Sequence, residues 1–175
     1  MTNPQAEMRQ QLMNALYHDD LTTVEELLKQ GVNVNLPYNH NGWTPFMWVC
    51  KEHCNPKIIE LFLEHGAKLD RANNEGSTPL HIMAHYRSSF DCLELLIENG
   101  ANPDAQDSDG WTPLMNAVYH PQVSMRMEVV YGLLFLTNLA IKNNKGETAY
   151  DLAKSNPAFE DKDCLEMLKK GAENE

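Results

Sequence analysis

Apolar residues recur along this chain in short groups separated by polar, turn-rich stretches. Val24, Leu27 and Leu28 form one group, and Ile59, Phe62 and Leu63 a second. Leu93, Leu96 and Ile97 form a third, and Cys164, Met167 and Leu168 a fourth. The i, i+3, i+4 spacing places each trio on one face of a helix. Each group is followed by a glycine and a small residue: Gly31-Val32, Gly66-Ala67, Gly100-Ala101 and Gly171-Ala172. A glycine there predicts a helix that stops in a left-handed residue. The segments Lys68 to Glu75 and Asn102 to Asp109 are polar and rich in turn formers, which predicts extended fingers rather than helices.

A second phrase is interleaved with the first. Gly42-Trp43-Thr44-Pro45-Phe46 recurs as Gly76-Ser77-Thr78-Pro79-Leu80 and Gly110-Trp111-Thr112-Pro113-Leu114, with Gly146-Glu147-Thr148-Ala149-Tyr150 as a weaker copy. The glycines are spaced by 34, 34 and 36 residues. Thr followed by Pro is a helix start, because the hydroxyl caps a free N–H and proline gives up one that has no partner. About twenty residues separate Thr-Pro from the next Gly-Ala, room for two short antiparallel helices. Asn55-Pro56 and Ser88-Ser89 mark the start of the second helix in two copies. One helix pair cannot bury its apolar face alone, so the unit must stack on copies of itself.

These residues resemble the ankyrin repeat family. Thr78-Pro79-Leu80-His81 matches that family's signature tetrapeptide in full, and Gly100-Ala101-Asn102 its helix-ending turn. Met47 and Met115 replace the signature histidine in two other copies, and Thr148-Ala149-Tyr150-Asp151-Leu152-Ala153 looks like a terminal repeat. The resemblance implies an all-α ankyrin-repeat solenoid of stacked helix pairs with extended β-turn fingers. Residues 1–175 form a single domain: an N-terminal capping pair over 5–38, repeats over 39–72, 73–106 and 107–142, and a C-terminal capping repeat over 143–172. The third repeat departs from the pattern. It carries two extra residues around Tyr119 to Met125 and has Leu136-Thr137 where Gly-Ala is expected. Gly132 falls in the slot of Phe62 and Leu96, so either the register shifts or the helix lengthens and kinks.

Charge narrows the choice of partner. Lys plus Arg number 14 against 25 Asp plus Glu, a net charge of −11. That field repels phosphate backbones and anionic lipid, so nucleic acid and membrane are poor partners and a basic patch on another protein a better one. Asp104, Asp107 and Asp109 cluster on one finger, with Asp70 and Glu75 on the finger before. They read first as a solvated edge that keeps the fingers soluble, and second as a landing strip for a basic partner. Four sparse cysteines, two of them (Cys92 and Cys164) in apolar helix slots, suggest a reducing compartment and a cytoplasmic location. The first eleven residues lack an apolar leader core, and Val129 to Ile141 is too short to span a bilayer. A soluble protein is expected.

Candidate chemistry is thin. His81 and His85 are spaced i, i+4, and Cys50, His53 and Cys54 lie in the preceding repeat, a set from which a zinc site or a Cys–His catalytic pair can be imagined. The spacing lacks a paired C-x-x-C, and no phosphate loop, G-x-S-x-G or H-E-x-x-H is present. The resemblance implies instead that His81 ties turn to helix, that His85 is exposed and that Cys50 packs. Asp19-Asp20 and Glu25-Glu26 fit helix N-terminal ends. No enzyme activity, metal or cofactor is expected.

The aromatic residues point to binding. Trp43 and Trp111 occupy one place in two repeats, which the resemblance puts on the concave face beside the fingers. Lys51, His85, Tyr86 and Tyr119 fall just after the first helices on the same side. Trp and Tyr dominate binding hot spots, so Trp43, Lys51, His85, Tyr86, Trp111 and Tyr119 form the candidate partner-binding set; the alternative is that the Trp rings only pack on neighbouring fingers. Trp48 lies inside the first helix and is expected to pack between repeats. The leading expectation is a protein–protein interaction module, an adaptor or inhibitor, or in a microbe an effector or toxin neutraliser. Charged positions on the helix from about Asp161 to Lys170 fit a cap that blocks stacking, so a monomer is expected.

Overall fold

A computed structural model describes residues 4–53, 55–86, 89–120 and 127–173. Among them lie α1 (Pro4–Tyr17), α2 (Leu21–Lys29), α3 (Pro45–Glu52), α4 (Pro56–Glu64), α5 (Pro79–His85), α6 (Phe90–Glu98), α7 (Pro113–Tyr119), α8 (Met127–Leu134), α9 (Ala149–Ser155) and α10 (Lys162–Glu173). The first helix of each pair packs on the first helices beside it, making a row from α1 through α3, α5 and α7 to α9. Helices α4, α6 and α8 pack in a second row alongside. The chain is an all-α repeat solenoid.

Residue patterns explain the two rows. Helix α3 buries every residue from Pro45 to Cys50, and α5 every residue from Pro79 to Ala84. A helix with neighbours on both sides must be apolar all round. Helix α4 buries only Ile58, Ile59 and Phe62, and α6 only Cys92, Leu93 and Leu96, because one face meets water. Trp48 is buried between the capping pair and the first repeat, edge-on to Tyr17 at 4.7 Å.

Caps follow the sequence signals. Thr44, Thr112 and Thr148 accept from Met47, Met115 and Asp151 N–H. Asp20, Asn55 and Ser89 cap α2, α4 and α6. Glu25 lies beyond the first turn of α2, where it pairs with Lys29 at 3.7 Å instead of capping.

The fingers are built on a residue the repeat phrases pass over. Asn39, Asn73, Asp107 and Asn143 each sit three residues before a finger glycine. Each side-chain Oδ1 accepts the N–H two and four residues on, as Asp107 does from Asp109 at 3.0 Å and Trp111 at 2.9 Å. Single backbone bonds then join finger to finger: Asn74 to Asn41, Ser108 to Glu75 and Asn144 to Asp109. Gly76 has φ +79°, and a Cβ there would lie 2.6 Å from Ser108 N. Gly146 has the same φ but open space beside it.

The third repeat shifts register. The described part of its second helix, α8, runs from Met127 to Leu134. The extra residues expected around Tyr119 to Met125 fall on a stretch of which 121–126 lie outside the described residues. Leu133, not Gly132, takes the buried place of Phe62 and Leu96. Gly132 instead accommodates the Phe90 ring, which would sit 2.0 Å from a Cβ. In the regular repeats Ala67 and Ala101 N–H close the helix onto Phe62 and Leu96 O. Here the Thr137 hydroxyl donates to Leu133 O at 2.9 Å.

The last helix also differs from expectation. Gly171 does not end it: α10 continues to Glu173 with Gly171 outside the positive-φ set. Glycine is needed there for contact, since a Cβ would lie 2.1 Å from Leu139 Cδ1.

Candidate functional site

Residues of the fingers and of the first-helix row line one cleft, and Trp43, His85 and Tyr86 are among them. Trp43 and Trp111 each follow a finger turn, their N–H groups fixed by Asn39 and Asp107. Lys51, His85 and Tyr119 belong to the last turns of α3, α5 and α7, slightly earlier than expected, and Tyr86 is the C-cap of α5. Four of the six converge. Tyr86 stands edge-on to Trp43 at 6.3 Å and to His85 at 4.9 Å, and Lys51 Nζ lies 5.0 Å from its ring centre. Trp111 and Tyr119 form a separate edge-on pair at 5.1 Å. His85 also meets the ring of His120, a neighbour the sequence reading missed, at 5.1 Å.

Trp43 and Trp111 are half-buried and pack as well as face outward. Tyr119 is 52 % exposed, so its ring is open to solvent even with Trp111 against it. Trp43, His85 and Tyr86 line one wall of a cleft of about 310 Å³. Glu75, Asp107 and Asp109 line the same cleft, with Glu75 and Asp109 exposed as a solvated edge would be. Asp104 is turned to structure instead, accepting Asn138 N–H at 2.8 Å. Lys51 bonds Glu52 at 2.7 Å, and this bond raises its pKa.

The Cys–His set does not assemble. His81 Nδ1 accepts Thr78 N–H at 3.2 Å, and Nε2 lies 2.9 Å from Trp111 O. Both nitrogens are engaged, so the ring is the Nε2-protonated tautomer and presents no lone pair to a metal. Burial lowers its pKa, opposed by the bond to Trp111. His53 turns to the capping pair, with Nε2 3.1 Å from Leu16 O and Nδ1 3.2 Å from Asp19. Cys50 is buried in the core, His85 is exposed, and Cys54 lies outside the described residues. No group of three or more His, Cys, Asp or Glu among the described residues is placed to hold a metal ion. No helix among them is long and apolar enough to cross a membrane.

Comparison with known proteins agrees with this architecture. The family model described as ankyrin repeats (3 copies) matches residues 12–107 and 83–175. Mouse ankyrin repeat domain-containing protein 40 is 30% identical over 78 residues, which is 45% of this chain and 21% of that protein. The human 2-5A-dependent ribonuclease is 34% identical over 73 residues, 42% of this chain and 10% of that enzyme. The matches thus span only 21% and 10% of those longer relatives.

Proposed function

Since the chain belongs to the ankyrin repeat family, whose repeats generally serve as protein-interaction modules, we propose that it binds a partner protein in the corner between fingers and first helices, the concave face of the stack. The observation that carries this is the cluster of Trp43, Lys51, His85 and Tyr86, of which Trp43, His85 and Tyr86 line one cleft, with Trp111 and Tyr119 in the next repeat along. Aromatic anchors beside a cleft suit a hot spot. The finger hydrogen bonds hold them in place before binding, which spares ordering entropy. The protein then acts as an adaptor or inhibitor by occupying its partner, as a monomer in a reducing cytoplasm, and net charge −11 favours a partner with a basic patch.

The test is an affinity capture comparing wild type with the Trp43→Ala/Trp111→Ala double variant, with circular dichroism as the folding control. The reading expects partners retained by wild type and lost by the folded variant, an affinity drop of roughly thirtyfold or more per hot-spot residue. Equal retention by both moves the site off this face.

A further inference from the structure

We propose that the cleft at the second finger holds one arginine side chain of the partner as the anchor of the complex. This rests on the binding role above and specifies its chemistry. Two independent features of the cleft select a cation. One wall is aromatic: Trp43 and Tyr86 meet at 73° and make a corner of ring faces and edges. Such faces attract cations, and a planar guanidinium stacks on them as well. The molecule already uses Tyr86 in this way, because Lys51 Nζ sits over its ring at 5.0 Å.

The same cleft is also lined by carboxylates. Glu75, Asp107 and Asp109 line the cleft, and none of them is in an ion pair among the described residues. Together they give the cleft of about 310 Å³ a negative potential that favours an inserted cation. Lys51 does not supply this charge, since Glu52 holds it at 2.7 Å. An anionic ligand is excluded on the same ground. The volume suits a single long side chain, and the flat fork of donors on arginine matches paired carboxylates better than the point charge of lysine. The Asp107 carboxylate is held in place, its Oδ1 accepting two N–H groups, and the backbone of Glu75 is tied to the next finger by Ser108 N–H.

The experiment is selection of a phage-displayed random peptide library on the full chain, followed by affinity measurement with synthetic copies of the recovered peptides. The expected result is a shared arginine whose replacement by citrulline, equal in shape and uncharged, weakens binding about tenfold or more. The Glu75→Gln/Asp107→Asn/Asp109→Asn variant, which keeps the Oδ1 acceptors of the finger, loses a similar factor. On that variant the citrulline change then has little further effect, the signature of direct coupling. Peptides lost by Trp43→Ala/Trp111→Ala but lacking a shared basic residue, or held equally by the charge variant, overturn the anchor and leave the concave-face reading standing. Peptides indifferent to both variants, or no peptide bound on this face, overturn both.

Discussion

His81 and Trp111 lie in different repeats, yet Nε2 of the first donates to the carbonyl oxygen of the second at 2.9 Å. Through its other nitrogen His81 caps its own helix at Thr78. One buried side chain thus fixes the start of α5 and the third finger, which carries Asp107, Asp109 and Trp111. His81→Ala leaves Thr78 N–H and Trp111 O without this partner and opens a cavity. A loss of about 2–4 kcal/mol is expected in urea unfolding.

The same residue sets a pH dependence. Burial holds the folded-state pKa of His81 below its ordinary value of 6.5. The unfolded chain therefore takes the proton more readily, and its contribution to stability is complete above about pH 6.5 and lost as pH falls through the folded value. Urea midpoints of wild type should fall between pH 7 and pH 5, and those of His81→Gln should fall less. Equal slopes would contradict the neutral tautomer assigned to this ring.

Finger glycines should differ in sensitivity according to what stands beside them. Gly76→Ala and Gly146→Ala both impose a left-handed residue, at about 1–2 kcal/mol. Only the first also drives a Cβ toward Ser108 N of the next finger. Thermal unfolding should show Gly76→Ala as clearly the more destabilised of the two.

In the third repeat, Thr137→Val keeps the shape and removes the hydroxyl that closes α8. About 1 kcal/mol of stability should be lost, measured by denaturant unfolding.

At the C-terminal end Asp161 caps α10 through Cys164 N–H and accepts the Tyr131 hydroxyl at 2.9 Å. These two bonds lower the Asp161 pKa, and the carboxylate pushes Tyr131 up to about 12. The Asp161 contribution to stability is present above the ordinary carboxylate value of 3.8 and is lost as pH falls through the lowered one. In Asp161→Asn the Tyr131 titration, followed by ultraviolet absorbance, should move back toward 10.

What the sequence revealed depended on how local the signal was. Thr-Pro caps and i, i+3, i+4 faces are short-range, so helix order and both core rows were readable from Thr78-Pro79 and Ile59/Phe62. The Asx residues at Asn39, Asn73, Asp107 and Asn143 share the glycine spacing and were equally available, but turn-forming asparagine is common and draws no notice. Register in α8 was not decidable, because the choice between Gly132 and Leu133 rests on the Phe90 ring from another helix. Gly171 misled for the same reason: Leu139, thirty-two residues earlier in the chain, requires it. The candidate aromatic positions followed from repeat phase. That Glu75, Asp107 and Asp109 line one cleft with Trp43 depends on the offset between neighbouring repeats, which no single repeat encodes.

Site-directed photo-crosslinking tests the concave-face account most directly. A benzoylphenylalanine replaces Tyr86 or Tyr119 in the corner, or Glu94 on the exposed side of α6. Crosslinking to one partner from positions 86 and 119, with none from 94, is the predicted result. Crosslinking from 94 alone would place the interface on the outer helices and contradict the account.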